Sequence, residues 1–245
     1  MSNQKYEITG IAHEEYPFLH RIRALRDIGS EVKAGDLGGF VEHEGNLSYE
    51  DADSWIYNDA IAANGAFVYE GAALRDHAVA CGEAKICKGA VLSDRARAED
   101  HAHVAGGRME NYARLSGHGL VSAIAPSKFP VLSGECTVYG IVAGNVLVTS
   151  QAVVLGDEKI THDGLDQLVV TECGRSIQRS QDRKRLSKSP ASMGVLSQSL
   201  RLELSRRNTL NPVSKESAVP AFFSPAPAAL AAMFLFSADE CAVCP

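Results

Sequence analysis

The sequence predicts an all-β fold, a parallel β-helix made of short stacked strands, over residues 54 to about 160. Two observations support this prediction. A small residue recurs every six positions from Ser54 to Ala102, and eight of these nine residues are alanine. A second small or aliphatic residue follows two positions after each of them, as Ile86 follows Ala84.

The six-residue spacing excludes an amphipathic helix, because at 3.6 residues per turn the alanines would scatter around the axis. It suits a strand, in which alternate residues lie on the same side. Each unit is therefore predicted to be a three-residue strand with two inward apolar side chains. Pairs such as Asn58-Asp59 and Asn64-Gly65 precede the alanines and predict tight corners. One unit cannot bury its apolar side alone, so the units are predicted to stack.

The repeat continues beyond Ala102 with two interruptions. A five-residue step shifts the register to Gly107, and an excursion over Ser122–Pro130 then interrupts the coil. We place the resumption at Gly134 with Cys136 as its inward partner, and the units continue to about residue 160. In total the sequence contains seventeen such units.

This pattern resembles the hexapeptide repeat of left-handed parallel β-helix proteins. The segments Val32–Val41, Asn46–Ser48 and Trp55–Tyr57 further resemble the first part of a hexapeptide-repeat family of acyltransferase-like proteins from enterobacteria and their phages. The resemblance implies a left-handed triangular solenoid in which three units make one coil of about 18 residues. On that basis the seventeen units would form between five and six coils.

The resemblance also implies a function. Related enzymes are homotrimers that take acetyl-CoA or another acyl-CoA as co-substrate in a groove between subunits. A histidine then acts as general base on a hydroxyl or amine of a small-molecule acceptor. If this protein follows them, it is a transferase with one catalytic histidine.

Three corner residues are the candidates for that site. Stacking places Glu83, His101 and His118 in one column, with adjacent coils about 4.8 Å apart. An imidazole beside a carboxylate and a second imidazole suits general-base chemistry. We predict His118 as the base, oriented by His101 or Glu83, and expect the loop 122–131 to help form the site. Because corner side chains usually face solvent, a solvated column without function is the alternative.

The other histidines and the cysteines are interpreted as non-catalytic. His77 and His103 have no acidic neighbour in their columns, and Cys87 has no histidine in its own column. Cys241 and Cys244 lack a second pair or a histidine partner, so we predict no metal site.

The chain divides into four predicted parts. These are an N-terminal β cap and lead-in segment (1–48), the β-helix (49–160, with its loop at 122–131), a C-terminal β hairpin with a basic segment (161–190) and a disordered tail (191–245). Three prolines in the first half of the apolar stretch 218–237 leave too short a helix to span a bilayer of about 30 Å. A short docking helix is the other reading of this stretch. We expect no membrane contact, and the absence of a signal-like start predicts a cytoplasmic protein.

Two further functions stay open. A non-catalytic β-solenoid, a structural or binding module of phage or prophage origin, is the main alternative, because the regular repeats contain no compact polar cluster beyond one column. Residues 1–173 contain 14 basic and 25 acidic residues, so nucleic acid is not the expected partner of the body. Contact with nucleic acid or an acidic partner would instead use the one basic run, Arg175, Arg179, Arg183, Lys184, Arg185 and Lys188.

Overall fold

Short parallel strands stacked in three columns build most of the structure. The computed structural model describes residues 3–179 of the 245-residue chain. These residues form 23 β-strands, numbered β1 to β23 in chain order, and one 3-10 helix, Glu44–Asn46. No α-helix occurs in this part of the chain. The predicted parallel β-helix is confirmed.

The strands form three sheets, one on each face of a three-sided solenoid. The first face consists of β1 (Tyr6–Ala12), β2 (His20–Ala24), β3 (Leu37–Val41), β5 (Ile61–Ala62), β8 (Val79–Ala80), β11 (Arg97–Ala98), β14 (Arg114–Leu115), β17 (Thr137–Val138) and β20 (Val153–Val154). The second face consists of β6 (Phe67–Val68), β9 (Lys85–Cys87), β12 (His103–Ala105), β15 (Leu120–Ser122), β18 (Ile141–Gly144) and β21 (Lys159–His162). The third face consists of β4 (Trp55–Ile56), β7 (Ala73–Leu74), β10 (Val91–Leu92), β13 (Arg108–Met109), β16 (Val131–Leu132), β19 (Val146–Val148), β22 (Gln167–Thr171) and β23 (Gly174–Gln178).

Each turn of the solenoid crosses all three faces before the chain returns to the first. Trp55 pairs in parallel with Ala73, and Ala73 with Val91, so these turns contain 18 residues each. The solenoid has about seven turns. The count of hexads predicted fewer, because the first turn lacks the alanine repeat: β3 already lies parallel to β5, and Leu47 bridges to Val68 on the second face.

The inward side of the repeat forms one continuous core. All eight alanines from Ala60 to Ala102 are fully buried, and so are the residues two positions after each of them. The alanine follows a corner, where two faces converge, so a close-packed interior leaves room there only for a small side chain. The larger residue of each pair fills the middle of the coil. Each buried Leu or Ile side chain contributes roughly 1.5–3 kcal/mol to folding.

The corners account for the polar residues of the repeat. Nine non-glycine residues have φ between 51° and 60°, and six of these nine are Asn or Asp. These two residue types tolerate the left-handed region because their short side chains form local hydrogen bonds. Glycine takes the same role at Gly82 (φ 68°), where a Cβ would lie 2.8 Å from the backbone nitrogen of Asp100. The predicted strand and corner alternation is therefore confirmed.

Both interruptions lie at the corner between the second and third faces. The five-residue step is confirmed, because the chain passes from β12 to β13 through Gly106 and Gly107, both with positive φ. The second interruption runs from the end of β15 to the start of β16, and the backbone of Ala125 bridges to Lys128 within it.

The predicted register of the first unit after the excursion is wrong, whereas the later units, which begin at Gly140, Val146, Ala152 and Glu158, are confirmed by their strand pairing. Gly134 is a corner residue with φ 72°, and a Cβ there would lie 2.9 Å from the backbone nitrogen of Ser150. The repeat resumes earlier, at Pro130, and Cys136 then takes the alanine position with Val138 as its buried partner. Proline and cysteine hid these positions, because neither matches the alanine pattern of the preceding hexads.

An antiparallel cap covers the N-terminal end of the solenoid. β1 pairs with β2 and β2 with β3, both antiparallel, whereas β3 pairs in parallel with β5. Tyr6 and Trp55 are both 1% exposed and meet edge to face, with ring centroids 6.4 Å apart. The cap therefore closes the core and pairs the strand edges that an open solenoid end would expose.

A hairpin lies at the other end. β22 pairs in parallel with β19 and antiparallel with β23, so the hairpin predicted around Gly174 is confirmed. Arg175, the first residue of the basic run, donates to Glu158. The predicted disordered tail and the part of the basic run beyond Arg179 lie outside the described residues. No helix between residues 3 and 179 is both long and apolar enough to cross a membrane.

Candidate functional site

The predicted column of Glu83, His101 and His118 lies at the corner between the first and second faces. Each of these residues directly precedes an inward residue that begins a hexad. Backbone hydrogen bonds fix the stacking: Glu83 N donates to Asp100 O at 2.6 Å, and His101 N donates to Gly117 O at 2.9 Å. The repeat thus places the three side chains on consecutive turns and on the same side of the solenoid.

The three side chains are in contact. His101 Nδ1 lies 3.0 Å from Glu83 Oε2, within hydrogen-bonding distance. The rings of His101 and His118 are stacked, with centroids 4.8 Å apart and planes 5° apart. When Nδ1 donates to the carboxylate, Nε2 of His101 is the nitrogen that accepts a proton. The contacts therefore favour His101 as the oriented base, whereas His118 packs on its ring without a hydrogen bond to Glu83.

The column is open to solvent in a single chain. The side chains of Glu83 and His101 are 72% and 51% exposed, and His118 is also exposed. Water screens the Glu83–His101 contact at this exposure, so the contact contributes little to stability. A base in this position needs a further surface to enclose a substrate.

The excursion does not lie beside this column. His118 stands at the start of β15 and the excursion follows its end, so the length of the strand separates them. From Gly119 to Ala123 this is roughly 13 Å of extended chain at about 3.3 Å per residue. The expected contribution of loop 122–131 to a site around His118 is therefore absent within one chain.

A groove runs under the excursion, at the corner between the second and third faces. It encloses about 420 Å3, with apolar walls that include Val91, Ile124 and Phe129. Two cations, Lys88 and Arg108, line the same groove. Arg108 lies over the Phe129 ring at 5.8 Å. The groove therefore combines apolar surface with positive charge, which suits a ligand that has both an apolar part and an anionic part.

A contact between Cys87 and His103 was missed by the sequence reasoning, which compared only residues in register. His103 is in register with Lys85, yet its Nε2 lies 3.5 Å from Cys87 Sγ, diagonally across two strands. Diagonal neighbours on a sheet are within reach of long side chains, and this rule could have found the pair.

The chemistry of this pair opposes nucleophilic catalysis. Burial raises the pKa of the Cys87 thiol, although a hydrogen bond with Tyr69 lowers it in part. Burial, followed by the charges of Lys85 and Lys88, lowers the pKa of His103. Both shifts favour the neutral thiol and the neutral imidazole, whereas a nucleophilic cysteine needs the thiolate. The directions of these two pKa shifts therefore support the interpretation of Cys87 and His103 as non-catalytic.

Between residues 3 and 179, no group of three or more His, Cys, Asp and Glu side chains is arranged to hold a metal ion. Cys241 and Cys244 lie outside the described residues. Comparison with known proteins adds no assignment, because no protein-family model matches the sequence and no curated protein matches it either.

Proposed function

We propose that this protein is an acyltransferase-like member of the hexapeptide-repeat family, in which His101 is the general base. The observation that supports the proposal is the 3.0 Å contact between His101 and Glu83, with His118 stacked on the imidazole. A carboxylate that fixes one imidazole nitrogen leaves the other positioned to remove a proton. His118, the base that the sequence suggested, takes a positioning role.

The proposed reaction transfers an acyl group from CoA to a hydroxyl or amine. His101 Nε2 takes the proton from the acceptor as its oxygen or nitrogen attacks the thioester carbonyl. The carbon–sulfur bond then breaks, and the CoA sulfur leaves with the proton that His101 returns. Glu83 stabilises the imidazolium formed between these two steps.

The exposure of the column is the reason to propose a homotrimer. A 72% exposed Glu83 is screened by water, whereas a second copy packed on this corner would exclude water and strengthen the charge interactions. The groove with Lys88 and Arg108 is the proposed position for the phosphates of the donor, since both cations complement them. Within one chain, β15 separates this groove from the column of Glu83, His101 and His118. In the proposed trimer, one copy would therefore supply the groove and a second copy the column of the same site. Light scattering that gives the mass of a monomer would contradict this part of the proposal.

Thiol release from acetyl-CoA tests the proposal directly. The full chain is incubated with acetyl-CoA and a panel of amino and hydroxyl acceptors, and free CoA is measured. We expect His101→Gln to lower the rate at least about a hundredfold, the usual contribution of a general base. Glu83→Gln should lower it less, because the imidazole remains. His20→Gln, on β2 and away from the column, is the matched control. Full activity of His101→Gln would remove the assignment.

A non-catalytic binding module is the second candidate, and one observation favours it. The structure has a groove under the excursion and a second groove, which lies against the first face beside residues 13–15. Glu83, His101 and His118 line neither of them. A catalytic base normally lies in a pocket that excludes water. If acetyl-CoA neither binds in calorimetry nor loses its acyl group with any acceptor, the binding-module function is favoured over the transferase.

A further inference from the structure

The connection between β1 and β2 folds over the outer side of the first face. Leu19, at its end, is fully buried against Phe40, Ile61 and Ala63. The His13 ring meets Phe40 edge to face at 4.7 Å, and His13 N donates to Leu19 O at 2.9 Å. These contacts hold residues 13–19 in place. A groove of about 700 Å3 remains between the start of this connection and the solenoid.

One wall of the groove is basic. Arg95 and Arg97 lie two residues apart at the start of β11, and His77 and Val79 take the same positions one turn earlier. Within residues 3–179 no ion pair involves Arg95, which is exposed. Arg97 Nε lies 3.9 Å from Glu99. The wall therefore presents the Arg95 guanidinium to the groove, beside the apolar surface of Val79.

A third arginine is part of the structure of the groove. Arg21 donates to Asp59 at 2.6 Å and to the carbonyl oxygens of Gly38 at 3.1 Å and Asn58 at 2.9 Å. Its guanidinium lies 4.3 Å from the Phe40 ring centroid. Because its charge is balanced by Asp59 and three hydrogen bonds hold its guanidinium, Arg21 lines the groove without adding net charge.

The opposite wall is acidic. Glu14 and Glu15, in the connection between β1 and β2, line the groove and are exposed. Neither is in an ion pair with another residue of the described part of the chain. The groove thus has carboxylates on one side and a guanidinium on the other, and these opposite charges do not contact each other.

We propose that this groove binds a small zwitterionic ligand of about the size of a dipeptide. Its carboxylate would meet Arg95, whose planar guanidinium matches a carboxylate in two parallel hydrogen bonds. Its ammonium would meet Glu14 and Glu15, and an apolar side chain would lie on Val79. A purely anionic ligand would face two carboxylates, and a purely cationic one would face the arginines, so charge complementarity selects the dipolar ligand. The volume lies within the usual range of roughly 300–1,000 Å3 for small-molecule sites.

Calorimetric titration of the full chain with three related probes tests the proposal. The probes are alanyl-phenylalanine, its N-acetylated form, which lacks the ammonium, and its C-terminal amide, which lacks the carboxylate. We expect the free dipeptide to bind at one site, and each modified form to bind at least about tenfold more weakly, as expected for the loss of one charge-assisted contact. No binding of the free dipeptide, or equal binding of the N-acetylated form, would overturn the proposal.

Variants locate the site. Arg95→Gln should weaken binding of the free dipeptide about tenfold and leave that of the amide unchanged, because the amide has no carboxylate to lose. Glu14→Gln combined with Glu15→Gln should weaken the dipeptide and leave the N-acetylated form unchanged. Arg26→Gln removes an exposed arginine outside the groove and is the control. Unchanged dipeptide affinity in Arg95→Gln would overturn the assignment. The acyl-transfer assay does not use these residues, so the two proposals fail independently.

Discussion

Asn46 is a buried amide that joins the first two turns of the solenoid. Its Oδ1 accepts from the backbone nitrogens of Glu42 and His43, and its Nδ2 donates to the carbonyl oxygens of Asn64 and Ala66, at 2.8–3.1 Å. Asn46→Ala removes all four hydrogen bonds from a largely buried site, although Glu42 N also donates to Ala62 O at 3.3 Å. We expect a loss of about 3 kcal/mol in the free energy of unfolding, measured by urea denaturation.

The matched control for this prediction is Gln151→Ala. Gln151 also has a side-chain amide, but it is exposed and donates only to Glu135. Its removal should change the free energy of unfolding by less than about 0.5 kcal/mol. Similar losses in the two variants would mean that the hydrogen bonds of Asn46 do not hold the turns together.

The carboxyl group of Asp100 should account for part of the loss of folding stability at low pH. Hydrogen bonds from Ser116 Oγ at 2.6 Å and Gly117 N at 2.8 Å lower the pKa of its carboxyl below the ordinary 3.8. Because the folded state favours the ionised form, the carboxyl stabilises the fold above pH 3.8, and this stabilisation is lost as pH falls through the lowered pKa. Asp100→Asn keeps an oxygen acceptor and cannot titrate.

The expected result is a shallower loss of stability on acidification below about pH 4 for Asp100→Asn than for the wild type. Thermal unfolding at several pH values between 3 and 7 measures the slope. Asp157→Asn, an exposed aspartate whose side chain forms no hydrogen bond within residues 3–179, is the control and should keep the wild-type slope. An unchanged slope in Asp100→Asn would refute the prediction.

The candidate site shows what a single sequence can establish about individual residues. The period predicted that Glu83, His101 and His118 share a column, because backbone pairing fixes which residues stack. It did not predict which nitrogen meets the carboxylate, since rotamers depend on neighbours on both turns. The Cys87–His103 contact was missed for the same reason, because a side chain that leans diagonally leaves its register.

At the scale of one strand, inward and outward positions should differ sharply in their contribution to stability. Ile86 points inward and is fully buried, whereas Val91, on the next strand, points outward and is half-buried. Ile86→Ala should lower the free energy of unfolding by about 2–5 kcal/mol, through lost burial and a cavity. Val91→Ala should cost about 1 kcal/mol or less. Chemical denaturation of both variants measures the difference, and equal costs would contradict the assigned orientation.

The elements show where the alanine pattern was sufficient and where it failed. It predicted each strand from β4 to β12, because a narrow coil accepts only small residues after its corners. It did not predict the first turn, in which β3 carries Gly38 and Gly39; a Cβ at Gly39 would lie 2.4 Å from the Ala60 carbonyl oxygen. Close approach of Ile56 and Ala60 imposes glycine at this position, and the alanine repeat begins only with the following units.

For the whole molecule, the stacking implies that the stability of each turn depends mainly on its own contacts and on those with the adjacent turns. Each turn contacts only the turns before and after it, so a solenoid behaves as a one-dimensional array of coupled units. The two ends differ: the N-terminal end is covered by β1 and β2, whereas β20 and β21 are edge strands. Val153, on the edge strand β20, and Leu155, just after it, are 57% and 60% exposed. We therefore expect the C-terminal turns to open first.

Amide hydrogen exchange measures this gradient. Val154→Ala, in the last turn, should speed exchange in β17 and β20 and leave β5 and β8 unchanged, because the destabilisation passes only between adjacent turns. Leu74→Ala, near the capped end, removes a buried side chain from the second turn and should speed exchange around it. If both variants raised exchange equally along the whole solenoid, the fold would open as a single cooperative unit, and the two ends would be energetically equivalent despite their different caps.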